Sequence, residues 1–187
     1  MQVQEIKTFY TSFYTVNIET GINIEQIAKS LESSGGESKN SSSFGGWRSE
    51  AQNYESIIYI QPFLDKLINL MDKIYNEFNI SKKAEISNYW FNINRTNNFN
   101  WLHNHPQSFF SAIFCIKSVE NSGNLIFERP DLLTSTISTS KLNEKNSNSV
   151  TFRPKPNDLI IFPSHLKHKV EPNRTNEDYI SIVFNFK

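Results

Sequence analysis

One cysteine in 187 residues, Cys115, excludes an intramolecular disulfide, and its apolar neighbours mark it as a small buried hydrophobe. Excess charge is also missing. Lys plus Arg number 19 and Asp plus Glu number 19, so no net field attracts nucleic acid or an anionic membrane. No apolar run is long enough to cross a bilayer. The first ten residues contain no apolar signal-peptide core. These absences lead us to expect a soluble cytoplasmic protein without a nucleic-acid or membrane partner. The chain has no internal repeat, and its length suits one domain with a real core. Histidine is scarce, with four copies, and all four fall in two short segments.

The apolar pattern changes along the chain. Ile24, Ile27, Ala28 and Leu31 predict a short amphipathic helix over Ile24–Ser33. A Gly/Ser-rich loop over Ser33–Ser49 follows, either a linker or a lid that contacts substrate. Phe44, Trp47 and Arg48 favour the second reading, because such side chains are costly to leave idle. Pro62 then opens a longer helix. Phe63, Leu64, Leu67, Ile68, Met71, Ile74, Tyr75 and Phe78 recur at helical spacing, a stripe suited to packing on a sheet. From Ala84 the chain breaks into short strands separated by Asn, Gly and Pro turns. The expected strands are Ala84–Asn94, Ser108–Lys117, Asn124–Phe127, Ser149–Phe152, Asp158–Phe162, His168–Val170 and Tyr179–Phe186. The expected class is therefore mainly β with N-terminal helices (α+β). Residues 84–187 form a jelly roll or cupin-like barrel, and residues 1–83 form helical support and the loop within one domain.

The histidines carry the chemistry. His103 and His105 lie two apart, so on an extended strand both face one side. His165 and His168 follow some sixty residues later. A close His-x-His pair plus a distant His suits a first-row metal and leaves coordination positions open, as in catalytic sites. We take His103, His105 and His168 as the ligands, with His165 as the alternative third, and expect a carboxylate only if Glu128 or Asp131 supplies it. Asn92 shares a strand face with Trp90 and is placed either as a cosubstrate contact or as a donor behind the metal ligands. Asn100 is placed as a partner orienting His103, and Trp47 and Arg48 as contacts to site or substrate.

Longer motifs support a resemblance. They run Trp90-x-Asn92, Asn100-x-x-His103-x-His105-Pro106, Ser111 through Ile116, Gly123 through Pro130, Phe162-Pro163-Ser164 to His168, and Ile180-Ser181-Ile182-x-Phe184-Asn185. Together with Gly45-Gly46-Trp47-Arg48-Ser49, similar to Gly-Gly-Trp-Gln-Ser, this order resembles a family of 2-oxoglutarate/Fe(II)-dependent oxygenases of phage and bacterial genomes. The resemblance implies a double-stranded β-helix, Fe(II), 2-oxoglutarate and hydroxylation of an unidentified small molecule or peptide. It also implies a pocket at positions 179 and 181. There the family carries an Arg two residues before a Ser, and this chain carries Tyr179 and Ser181. A phenol donates one hydrogen bond and no charge.

Two other functions fit the same residues. A cupin-type enzyme would use three histidines and no 2-oxoglutarate. The interval from Pro163 to His168 suits it, but no Glu follows His105 at a cupin spacing. A non-catalytic jelly-roll protein would need no metal. Fold alone does not choose among the three.

Overall fold

The longest strands of the C-terminal half, Ile86–Asn94, Phe110–Lys117, Asp158–Pro163 and Tyr179–Phe186, are buried on both faces, so they must be covered on both sides. A computed structural model describes residues 11–35, 42–131, 141, 143 and 146–187. The first ten residues and the middle of the Gly/Ser loop, residues 36–41, lie outside the described residues. The described chain forms strands β1 (Tyr14–Asn17), β2 (Ser43–Phe44), β3 (Trp47–Arg48), β4 (Ile86–Asn94), β5 (Phe99–His103) and β6 (Phe110–Lys117). Strands β7 (Leu125–Glu128), β8 (Ser149–Phe152), β9 (Asp158–Pro163), β10 (His168–Val170) and β11 (Tyr179–Phe186) complete two sheets. Helices α1 (Ile24–Ser33) and α2 (Gln61–Glu77) precede β4.

One sheet runs β1-β9-β6-β11-β4-β3 and the other β2-β5-β10-β7-β8. Most consecutive strands from β4 onward change sheets, the winding of a double-stranded β-helix. Strands β1, β2 and β3 extend the edges; β2 and β3 fall within the expected Gly/Ser loop, and the sequence pattern gave no element at β1. It also missed β5, whose Phe-Asn-Trp-Leu-His lacks clean alternation.

Period two sorts the large sheet into two cores. Tyr89, Phe91 and Ile93 of β4, Phe114 of β6 and Ile182 and Phe184 of β11 face the helices. Trp90 of β4, Ile113 and Cys115 of β6, Phe162 of β9 and Tyr179 and Val183 of β11 face the barrel interior. The α2 stripe of Phe63, Leu64, Leu67, Met71, Ile74 and Tyr75 is buried in the outer core, while Phe78 is half exposed. Phe63 sits 4.9 Å from Phe114 and 6.0 Å from Phe184, ring to ring. That contact joins helix to sheet and holds the inner face in register.

Phe63→Ala should therefore cost about 3–5 kcal/mol, the usual loss for a buried Phe. Urea unfolding followed by far-UV circular dichroism measures it. A loss below about 1 kcal/mol would mean that α2 does not hold the sheet.

Candidate metal centre

Three imidazoles meet at one end of the barrel interior. His103 ends β5 and His168 opens β10, and the two are direct cross-strand partners in the small sheet. The register of this pair shifts between His168 and Val170, where Val170 faces Asn100. Two residues of β10 thus span three of β5, a β-bulge. The bulge leaves Trp101 and Leu102 exposed and lets Asn100 and His103 reach the site side together. His105 is not on the strand. It lies past the end of β5, where its backbone N–H donates to the Ser164 carbonyl at 2.9 Å. The His-x-His pair therefore converges by leaving the strand, not by strand alternation. His168 comes from the strand paired beside that of His103. His165 sits in the preceding turn, exposed.

The ring nitrogens are oriented by backbone carbonyls, which only accept. His168 Nδ1 lies 3.1 Å from the Leu166 carbonyl, and His103 Nδ1 lies 2.6 Å from the Trp101 carbonyl. Both Nδ1 atoms therefore carry the proton, and both Nε2 atoms present a lone pair. His105 Nε2 stands 3.2 Å from His168 Nε2. All three ligand atoms lie within 4.8 Å of one another. Imidazole nitrogens on one first-row metal sit about 2.0–2.1 Å from it, so two of them stand roughly 2.8–3.4 Å apart. The His105–His168 separation and the donor set fit such an ion, and His103 closes on it with a small side-chain adjustment. Among the described residues no carboxylate joins the group. Asp131 is held by Arg129 at 2.8 Å and is exposed.

Electrostatics keep the set neutral. Burial, then the neighbouring His168 and His103 and the Arg48 charge, push the His105 pKa down to about 2. Burial and His103 push His168 down to about 3, against its bond to Leu166. Burial also lowers His103, against the Trp101 bond, with Arg48 adding to the effect. Neutral imidazole is the form that binds metal, so no proton has to leave at neutral pH.

The remaining expected residues separate into two groups. Arg48 of β3 pairs with Asn92 of β4, Asn92 with Ser181 of β11, and Ser181 with Cys115 of β6. Asn92, Ser181 and Tyr179 share the inner-face parity of Trp90 and Val183. The Asn92 Oδ1, Asn94 Oδ1 and Tyr179 hydroxyl are buried with no hydrogen-bond partner. Each such atom costs about 1–3 kcal/mol unless something bonds it. Amides offer a donor as well as an acceptor, so this row suits a polar ligand. Tyr179 lies beside Ser181 without ordinary hydrogen-bond geometry, and burial holds its phenol pKa well above the usual value. Trp47 is placed differently. It pairs with Ile93 and is buried in the outer core, turned from the histidines.

Asn100 accepts from Asn94 Nδ2 at 2.9 Å and donates to Ser42 Oγ at 3.5 Å, while Ser42 Oγ lies 3.3 Å from His103 Nε2. Asn100 thus reaches His103 through Ser42, a residue hidden in a run of serines. A second chain also has no sequence signal. Asn185 Nδ2 donates to Asn88 at 2.9 Å, and Ser111 Oγ bonds Asn185 Oδ1 at 2.8 Å and Ser164 Oγ at 2.7 Å. It steadies the turn whose Ser164 carbonyl holds His105.

Residues 88–185 match the family model described as "Putative 2OG-Fe(II) oxygenase". No curated protein matches the sequence. Among solved structures, a Pseudomonas putida prolyl-4-hydroxylase superposes with TM-score 0.71 at 11% identity, covering 95% of this chain and 92% of that one. A Trichoplax adhaerens prolyl hydroxylase, in complex with a hypoxia inducible factor peptide fragment, gives TM-score 0.62 at 15% identity over 93% and 83%. HygX from Streptomyces hygroscopicus, with nickel, 2-oxoglutarate and hygromycin B bound, gives 0.61 at 10% identity over 94% and 82%. At these identities the likeness shows the double-stranded β-helix fold.

Two outcomes follow from the geometry and the neutral imidazoles. His168→Ala should weaken metal binding beyond the roughly 10–100-fold typical of a lost outer partner, while His165→Ala leaves it unchanged. Calorimetric titration with Ni(II) reads both, and equal losses would contradict the assignment. The folded pKa values lie below the 6.5 of a free His, so the unfolded chain binds more protons as pH falls. Metal-free stability is therefore full above about pH 6.5 and is lost progressively toward about pH 3. Thermal midpoints that hold from pH 8 to 6.5 and then drop agree, and a flat profile down to pH 4 does not.

Proposed function

This chain belongs to the 2OG-Fe(II) oxygenase family, and from that premise we propose that His103, His105 and His168 hold its Fe(II) through their Nε2 atoms. It is an enzyme that uses non-haem Fe(II) and 2-oxoglutarate. When bound, the pair supplies the oxidising chemistry, and the protein supplies orientation and environment. The convergence of all three histidines, with His105 Nε2 3.2 Å from His168 Nε2, carries the ligand assignment. The Leu166 and Trp101 carbonyls fix tautomer and ring angle at His168 and His103, so those side chains need little reorganisation on loading.

We place 2-oxoglutarate on the inner face of the large sheet, against Asn92, Ser181 and Tyr179. The buried, unpartnered Tyr179 hydroxyl, which can donate to a carboxylate, supports this reading. Charge supports it too. Three neutral ligands leave the full charge of Fe(II) unbalanced, and a dianionic cosubstrate balances it. HygX holds nickel and 2-oxoglutarate on the same fold. The substrate in this reading is a small molecule or a peptide. HygX carries hygromycin B and the Trichoplax enzyme a peptide fragment, so the fold accepts both kinds. No helix among the described residues is long and apolar enough to cross a membrane. We further propose a cytoplasmic enzyme of phage or bacterial type; the sequence motifs similar to that family support the type, and the even charge supports a partner that is neither nucleic acid nor membrane.

The lack of a carboxylate at the histidines is a feature that a three-histidine enzyme without 2-oxoglutarate would share. Anaerobic Fe(II) plus 2-oxoglutarate separates the two. Wild type should develop a visible charge-transfer band and His105→Ala should not. Metal binding without a band would favour the cupin-type reading, and no metal binding would contradict the site.

A further inference from the structure

We infer that Ser42 is a positioning residue at the third metal ligand, whose hydroxyl competes with the ion for the Nε2 lone pair of His103. The inference rests on the metal reading above. It concerns how tightly the three histidines take their ion and is independent of which cosubstrate follows.

The direction of one hydrogen-bond chain carries it. The Trp101 carbonyl only accepts, so His103 Nδ1, 2.6 Å away, holds the proton and Nε2 presents the lone pair. Ser42 Oγ lies 3.3 Å from that Nε2 and is therefore the donor to it. Behind Ser42, Asn94 Nδ2 donates to Asn100 Oδ1 at 2.9 Å, and Asn100 Nδ2 donates to Ser42 Oγ at a longer 3.5 Å. Each group accepts from one neighbour and donates to the next, so the Ser42 proton is left to point at His103. A neutral imidazole has one accepting nitrogen. It serves a hydroxyl proton or a metal ion, not both. His105 and His168 instead turn their Nε2 atoms to each other, at 3.2 Å.

The backbone and three aromatic rings hold Ser42 in place. Its carbonyl accepts from the Trp101 N–H at 2.8 Å. The next two residues pair with β5, Ser43 with Asn100 and Phe44 with Phe99. Phe44 stacks on Phe99 at 4.8 Å, and Trp101 meets Phe99 edge-on at 4.6 Å and Phe44 at 6.0 Å. Phe44 and Trp101 are 54% and 58% exposed, so the cluster adds little to either core. Its effect is local, a latch of β2 onto the strand that ends in His103. The Trp101 peptide is used twice, its N–H by Ser42 and its carbonyl by His103. One peptide unit thus sets both the hydroxyl and the ring it caps. Gly45, in the left-handed region at φ 71, then turns the chain to β3 in the other sheet, which ties the far end of the latch to β4.

The test titrates Ni(II) by calorimetry into the full chain, so the readout is metal binding, not turnover. A neutral hydrogen bond that the ion must displace lowers its affinity by about 2–10-fold. Ser42→Ala should therefore tighten Ni(II) by about that factor, whereas a merely structural role would weaken it. Ser42→Thr keeps the hydroxyl and should match wild type. Phe44→Ala loosens the latch and should tighten Ni(II) as well, but add nothing in the Ser42→Ala background. Nitrogen NMR of the histidine rings in metal-free protein gives a second readout. Ser42→Ala should move the His103 Nε2 signal and leave those of His165 in place. Unchanged or weaker Ni(II) binding in Ser42→Ala overturns the Ser42 role and leaves the three-histidine site standing. Equal tightening in Ser42→Thr overturns it too, because the hydroxyl would not be the cause. Wild type that binds no Ni(II) overturns the metal reading, and this inference with it.

Discussion

The pairing of His103 with His168 across β5 and β10 is the contact on which the site depends. Cross-strand neighbours present their side chains on one face, a few ångströms apart. That places two imidazoles together before any ligand arrives. The bulge beside them turns Asn100 to the same side as His103 and sends Trp101 and Leu102 outward. His105 completes the set from beyond the strand, tied by its own backbone to the Ser164 turn. The rest of the barrel keeps these three segments from drifting.

Much of this was readable from the residues. Scarcity made the four histidines conspicuous, and the α2 stripe and long apolar alternations led to a helix-backed β-barrel. Extents matched well where propensity and pattern agreed, as at Ile24–Ser33 and Tyr179–Phe186. They failed where side chains do not alternate. Strand β5 lacks clean alternation and is bulged, and β2 and β3 are two-residue edges held by pairing alone. The parity argument for His103 and His105 assumed an extended backbone that the chain abandons after His103. Trp47 and Arg48 looked alike in a Gly/Ser-rich loop. Only the pairing of β3 with β4 sends one to the outer core and the other to Trp90.

The chemistry of the centre is one of charge. His105 and His168 are buried and His103 half-buried, and the three repel one another when protonated, so they stay neutral. A cation placed among them meets three lone pairs and no negative protein ligand. Such a centre draws an anion more strongly than one that already contains a carboxylate. The same logic explains why buried polar atoms on Asn92, Asn94 and Tyr179 are tolerable on the inner face. Their cost is offset when a polar ligand arrives, and the apolar ring of Trp90, Phe162 and Val183 keeps the surroundings dry.

The central claim is that one metal ion is held by three neutral histidines without a protein carboxylate. Iron-edge X-ray absorption on the anaerobic Fe(II) form, before cosubstrate is added, tests this most directly. The account predicts scattering from three imidazole rings per iron, with nitrogen at about 2.1 Å, and the loss of one ring in His103→Ala. Two rings per iron in wild type, with the remaining protein ligand a carboxylate, would contradict it.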